Sequence, residues 1–463
     1  MKNREDSMKL YAQQILTSTG WQSDKTLVIA NGTITEIVDG CLESAEIADG
    51  PVIPGMVNCH SHAFQRAFAG MSEQGSEGQD SFWTWRKVMY GFLAQITPEQ
   101  AQIIATELYI EMLKAGYTSV GEFHYLHHQS SGENYSQLSE MSECIFVAAQ
   151  TSGIALTHLP VLYRYSGFGA QEPTDGQRRF INDADSFNRL VSDCIDLSKK
   201  YPQSRVGMAP HSLRATNLQL LNDTVGYLKS LDENAPIHIH IAEQQQEVND
   251  CLAVLGKRPV QWLYDNQTVD KHWCLIHATH LTVTERQTLA RSGAVAGICP
   301  TTEANLGDGI FPTTEYLAEG GALAIGSDSH ISINPIEELR WLEYVQRLIK
   351  QQRAILATAQ QPSVGANLWQ RAALGGAQSL GRNAGELAIG KKADLLVLDQ
   401  EKIELFASSQ QHLLDSFIFA SQQNQVKDVM VAGRWVVQNY QHKAQQSSAV
   451  SYKLVLKNLT ASL

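Results

Sequence analysis

The sequence predicts an α/β protein: a (β/α)8 TIM barrel joined to a small β-sandwich domain built from both chain ends. Three observations carry that expectation. Eight apolar, β-rich runs alternate with helical patterns, which implies parallel strands joined by crossover helices. The two flanks instead carry short strand-like pieces with hairpin turns between them. A length of 463 residues suits one such barrel with an appended module.

In the N-terminal flank, 1–53, the pieces 26–30 and 33–38 are separated by Asn31-Gly32, a strong hairpin signal. The barrel runs are 55–59, 118–123, 155–162, 205–210, 236–241, 273–278, 293–299 and 322–326. Between the first two, Thr97 can cap a helix, Pro98 suits its first turn, Gln100 completes a capping box and Gly116 stops it. After Pro335, the residues Ile336, Leu339, Leu342, Val345 and Ile349 recur at helical intervals, an apolar stripe that would pack against the barrel. Region 361–385, with its Ala, Gly and Gln, reads as the return connection. The small domain then closes with 393–399 and 427–437, the latter broken by Ala432-Gly433.

Composition narrows the function classes. The apolar fraction is 43% and the charged fraction 18%, which suits a globular enzyme with a large buried core. A net charge of -12 disfavours a nucleic-acid partner. No run of about 18 apolar residues occurs, so no membrane partner is expected, and the first residues lack the apolar stretch of a signal peptide. The seven cysteines stand singly at 41, 59, 144, 194, 251, 274 and 299, a pattern that reads as reduced thiols in a cytoplasm.

Chemistry in such a barrel sits at the C-terminal ends of the strands, and five of these ends are rich in polar groups. The first carries His60 and His62, two imidazoles that strand alternation puts on one face, with Cys59 expected on the other in a packing role. The fourth ends in His211 and Arg214, the fifth in His238, His240 and Glu243, the sixth in His277 and His280, and the eighth in Asp328 and His330. His60, His62, His240 and Asp328 would suit Zn2+ with a water in the open position; His238 shares the parity of His240 and competes with it. No lysine on strand four is evident to bridge a second metal, so one ion per chain is expected, with Fe2+ as the alternative. Zinc lowers the pKa of its water toward ~7. Glu243 is then placed to shuttle a proton to a leaving amine, and His277 to hydrogen-bond the developing tetrahedral centre, with His280 as its rival. Asp328 can both ligate the metal and orient the nucleophile.

The stretches PGMVNCHSHAFQRAFAG from Pro54, FWTWRKVMY from Phe82, TSVGEFHYLHH from Thr118, APHSLRA from Ala209, HIHIAEQQQEV from His238, CPTTEANLGDGIFP from Cys299 and GSDSHISINPIEELR from Gly326 resemble the amidohydrolase superfamily, in its branch of mononuclear zinc deaminases. More narrowly they are similar to the family of formimidoylglutamate deiminases. GELAIGKKADLLVLD from Gly385 resembles the superfamily's return to the small β domain, which divides the chain into 1–53, 54–384 and 385–463. The resemblance implies hydrolysis of N-formimidoyl-L-glutamate to N-formyl-L-glutamate and ammonia, in histidine degradation, by a cytoplasmic homodimer. It also implies that His60, His62, His240 and Asp328 hold zinc, that Glu243, His277 and Asp328 are catalytic, and that Gln65, Arg86, Tyr125, His211 and Arg214 surround a small dicarboxylate substrate. Arg86 and Arg214 suit its anionic end, because a guanidinium engages a carboxylate bidentately.

Two other functions fit part of the pattern. A related deaminase acting on a purine, pyrimidine or triazine would call for an aromatic clamp rather than two arginines. A barrel that has lost its chemistry and serves as a scaffold would show missing ligands, and here the set is complete.

Overall fold

Eight parallel strands close into a barrel in the computed structural model, which describes residues 7–71, 73, 89–406 and 408–461. They are Met56–Ser61, Tyr117–His124, Ala155–Leu162, a fourth in two pieces (Ser204–Val206 and Ala209–Pro210), Ile237–Ile241, Trp273–His277, Val295–Ile298 and Ala322–Ile325. Each expected run is therefore a barrel strand. The ring closes where Ile325 pairs with Asn58 and where Met208 bridges Ile237.

Local chemistry explains the helices between them. Thr97 Oγ1 accepts from the Gln100 amide at 3.2 Å and Gln100 Oε1 accepts from the Thr97 amide at 3.0 Å, so helix Pro98–Ala115 starts with the expected capping box. In helix Pro335–Lys350, Ile336, Leu339 and Leu342 are buried, but Ile349 is exposed. The buried face continues through Glu343 and Gln346 instead, because Glu343 accepts the amides of Ile355 and Leu356 and so holds the following loop. Region 361–385, read as a connection, contains the buried helix Val364–Ser379. Its small residues let it lie close against strands one, seven and eight, and Trp369 Nε1 donates to Pro54 O at 3.0 Å.

The first strand departs from simple alternation. Asn58 pairs with Val120 but Ser61 with Glu122, so strand one carries an extra residue there, a β-bulge. Cys59 consequently turns into the barrel interior with Cys274, Ile276 and Cys299, rather than away from His60 and His62 as expected. Its role is still packing. All seven cysteines are unpaired, and no helix among the described residues is long and apolar enough to cross a membrane.

Both chain ends build one mostly antiparallel sheet beside the barrel. Its order is Gln441–His442, Arg434–Gln438, Val426–Val431, Leu395–Leu398, Val52–Pro54, Ser7–Thr17, Gly20–Ala30 and Thr33–Asp39, with Glu46–Ile47 alongside Ser7–Thr17. Thr33 bridges Lys392, so the sheet folds over a core that includes Leu10, Ile29, Val52, Leu395 and Met430. Asn31 and Gly32 both adopt left-handed φ, 51° and 73°, as a two-residue hairpin requires. Strand Ser7–Thr17 was not anticipated, because its Gln13 and Gln14 hide the alternation of Leu10 and Ala12. Helix Gln445–Thr460 returns to the barrel, where Tyr452 donates to Arg66 O at 3.1 Å.

Strands one and eight meet without a spare atom. A Cβ on Gly326 would lie 2.8 Å from His60 Cβ and 2.9 Å from His60 O. Gly326→Ala should therefore destabilise the fold by about 1–3 kcal/mol, read as a lower urea midpoint.

Candidate active site

The mouth of the barrel draws its side chains from the strand ends. Asp328 N donates to His60 O at 3.0 Å and His62 N to Asp328 O at 3.3 Å, which locks the ends of strands one and eight together. His62 Nδ1 contacts Phe123 O at 2.9 Å and His240 Nδ1 contacts His211 O at 3.0 Å. A carbonyl only accepts, so each Nδ1 carries the proton and each Nε2 presents a lone pair. His60 Nε2 lies 3.0 Å from His240 Nε2, and Asp328 Oδ1 lies 3.4 Å and 3.3 Å from Nε2 of His60 and His62. All four residues are buried.

Donor atoms of His60, His62 and His240 fall within 4.8 Å of one another, as do those of His60, His277 and Asp328. Burial holds the His60 imidazole down at about 3 and lowers those of His62 and His240, with neighbouring imidazoles adding to the effect; all three are neutral. Burial opposes ionisation of Asp328, but His60 and His277 outweigh it and keep the carboxylate below its usual range. Three neutral imidazoles and one carboxylate, with backbone carbonyls behind two of the rings, form a donor set that fits Zn2+. His238, the rival of His240, points elsewhere and contacts Ser379 O at 2.7 Å.

Beside this corner stands an acid–base group. Glu243 Oε1 and Asp328 Oδ2 each lie 3.7 Å from His277 Nε2, and Glu303 Oε1 lies 3.2 Å from His277 Nδ1. Burial pushes Glu243 up to about 7, against the pull of His277. For His277, burial favours the neutral ring, yet Glu243, Glu303 and Asp328 prevail and raise its pKa well above the usual value. Glu247 accepts the amides of Ala242 and Glu243 at 3.2 Å and 3.1 Å, and Glu303 accepts that of Cys299 at 2.9 Å. The sequence reading passed over Glu247 and Glu303. Both follow strand ends by a few residues, which was the available signal. Ala242, His277, Asp328 and His330 all hold left-handed φ between 46° and 67°, strain concentrated at one site.

The remaining wall is a cavity with an empty volume of about 560 Å³. Gln65, Tyr125, His211 and Arg214 line it together with the metal corner, as do Tyr163 and Phe180, which the sequence did not single out. Gln65 Nε2 donates to Tyr125 OH at 3.2 Å, while Gln65 Oε1 is buried without a partner among the described residues. Arg214 is buried and its charge acts on Glu243 and Glu247. His280 instead contacts Asp308 O at 2.8 Å. Arg86 lies outside the described residues. A larger cavity, about 1740 Å³, separates helix Glu140–Ser152 from strand Arg434–Gln438 but holds no comparable cluster of acids and imidazoles.

Comparison with known proteins agrees with this geometry. The model of the Amidohydrolase family matches residues 52–436. A formimidoylglutamate deiminase of Pseudomonas aeruginosa is 49% identical over 452 residues, covering 97% of this chain and 99% of that one. An 8-oxoguanine deaminase of the same organism is 26% identical over 443 residues, covering 91% and 92%. Among solved structures, an amidohydrolase from Brucella melitensis superposes with a TM-score of 0.93 at 44% identity, over 98% of this chain and 100% of that one.

The two histidines of strand five give a contrast. His240→Ala should lose most of the zinc that the purified chain retains after dialysis, measured by atomic emission, whereas His238→Ala should keep it.

Proposed function

Since the chain belongs to the amidohydrolase family, we propose that it is a zinc-dependent deiminase that hydrolyses N-formimidoyl-L-glutamate to N-formyl-L-glutamate and ammonia, a step of histidine degradation. The observation that carries this reading is a relative of that activity, 49% identical over nearly the whole of both chains. The site supports it independently. A buried arginine lines the same cavity as a cluster of carboxylates and imidazoles, groups wanted by a substrate with an anionic tail and a cationic amidine head.

His60, His62, His240 and Asp328 would hold the ion. When bound, zinc supplies Lewis acidity and lowers the pKa of water toward ~7. Each residue around it has a separable task. Water adds to the formimidoyl carbon, and Glu243, whose pKa of about 7 suits both acceptance and release, takes one of its protons. The same carboxyl then gives that proton to the terminal nitrogen, the carbon–nitrogen bond breaks, and Glu243 takes the remaining hydroxyl proton as the formyl carbonyl forms and ammonia leaves. His277, held at Nδ1 by Glu303, turns Nε2–H toward the oxygen on which charge develops. Gln65 and Tyr125 form one polar wall beside His62, and Arg214, with His211 near it, receives the glutamyl carboxylates. Arg86 is assigned the same anionic end by the family resemblance alone. We extend the reading to a cytoplasmic homodimer with no nucleic-acid or membrane partner.

A ring-substrate deaminase is the second reading, favoured by the likeness to the 8-oxoguanine enzyme and by the aromatic residues Tyr125, Tyr163 and Phe180 along the cavity. Ammonia release from N-formimidoyl-L-glutamate, measured beside guanine, cytosine and N-formimidoyl-L-aspartate, separates the two: preference for a ring would overturn our reading. Glu243→Gln should keep its zinc and lose about 10²–10⁴-fold in kcat. Arg214→Ala should lose about 10–100-fold in kcat/KM, chiefly through KM, with zinc content unchanged.

A further inference from the structure

We propose that Glu122, on strand two, is the positioning residue that preassembles the metal corner, through one buried chain of hydrogen bonds that grips both ligand-bearing strand ends. The inference rests on reading that corner as a zinc site.

Glu122 is fully buried and touches neither the cavity nor any donor atom of the corner. Its Oε1 accepts the Ala63 amide at 2.7 Å; its Oε2 accepts Ser61 Oγ at 2.7 Å and Tyr109 OH at 2.9 Å. Ser61 and Ala63 are the chain neighbours of His62. The next residue on strand two, Phe123, supplies the carbonyl that holds the His62 ring. Two consecutive residues therefore fix both the backbone on either side of His62 and the direction of its lone pair.

Beyond Ser61 the chain continues to strand eight. Ser61 Oγ lies 3.2 Å from His330 Nε2, His330 Nδ1 lies 3.0 Å from Ser327 Oγ, and Ser327 Oγ lies 2.7 Å from Asn58 Nδ2. Asn58 Oδ1 closes the loop by accepting the amides of Ser327 at 3.1 Å and His60 at 3.3 Å. Ser327 and His330 bracket Asp328, as Ser61 separates His60 from His62.

The carboxylate sets the polarity of all these bonds. Burial pushes Glu122 up to about 7, against the three donors that face it; as the carboxylate it only accepts, so Ser61 donates to it and therefore accepts from His330 Nε2–H. His330 Nδ1 is then an acceptor, Ser327 donates to it, and Ser327 accepts from the Asn58 amide. Every donor and acceptor along this path has one role. A glutamine at 122 can still accept the Ala63 amide, but it presents its amide hydrogens to Ser61. That reverses the chain until His330 and Asn58 both donate to Ser327. The left-handed φ of Asp328 and His330, 46° and 60°, is the conformation such a network must hold in place.

The test is zinc affinity, measured on the apo full-length chain by competition with a chromophoric chelator, for wild type, Glu122→Gln and the gentler Ser61→Ala. We expect dissociation constants about 10–100-fold weaker in Glu122→Gln, a smaller loss in the same direction in Ser61→Ala, and an unchanged KM for the zinc-saturated variants. A merely structural role would lower the urea midpoint without moving the dissociation constant. Zinc affinity within twofold of wild type in both variants would overturn the inference alone. A wild-type chain that binds no zinc would overturn the metal reading as well.

Discussion

The Nε2 atoms of His60 and His240 meet 3.0 Å apart where water is excluded, with the Asp328 carboxylate 3.4 Å from the first. His240 cannot donate there, because its proton is committed to His211 O, so in the bare chain only a His60 Nε2–H can bridge to the His240 lone pair or to Asp328. Such a convergence satisfies the bare chain poorly, because one proton must serve two buried acceptors and each buried polar atom has given up water. A cation is the partner that turns the arrangement from a liability into a binding site. The surrounding structure works to keep these donors from relaxing apart.

That work is divided by distance from the corner. Nearest are the carbonyls of Phe123 and His211, which orient two rings, and the mutual main-chain bonds of His60, His62 and Asp328. One step out are the carboxylates of Glu122, Glu247 and Glu303, each of which accepts a backbone amide next to, or leading into, a functional segment. Farther still, helix Val364–Ser379 packs against strands one, seven and eight, and the sheet from both chain ends runs directly into strand one at Pro54. Burial excludes water from the inner groups, which strengthens each hydrogen bond made to a charged acceptor.

The same burial sorts the titratable groups by role. Imidazoles that face one another lose their protons, whereas His277, ringed by Glu243, Glu303 and Asp328, gains one. Glu243 rises to about 7 beside an Asp328 that stays ionised, although the two carboxyls share His277 Nε2 as a neighbour. A site of this kind separates a ligand from an acid–base group by their partners rather than by residue type. Arg214, in the wall of the same cavity, adds a positive charge that acts on Glu243 and Glu247.

Much of this was legible in the chain because periodicity and turn chemistry are local. The eight barrel runs, the capping box at Thr97 and the Asn31-Gly32 hairpin follow from spacing alone, and the polar strand ends marked His60, His62, His211, Arg214, His240, Glu243, His277 and Asp328 as neighbours in space. What stayed hidden depended on contacts between segments distant in sequence. Alternation turned Cys59 outward, but the bulge between Asn58 and Ser61 is set by pairing with strand two. His238 and His240 are equivalent by parity, and only their height in the barrel separates them. Gln13 and Gln14 concealed a first strand that is stabilised by the opposite chain end, and small residues at 364–379 looked like a linker until the strands they approach were in place. Sequence by itself determined which groups could reach the mouth of a barrel, since side-chain direction follows backbone period. Tertiary structure decided which of them share a proton, a lone pair or a charge, since those depend on distances of about 3 Å between strands that the chain order keeps apart.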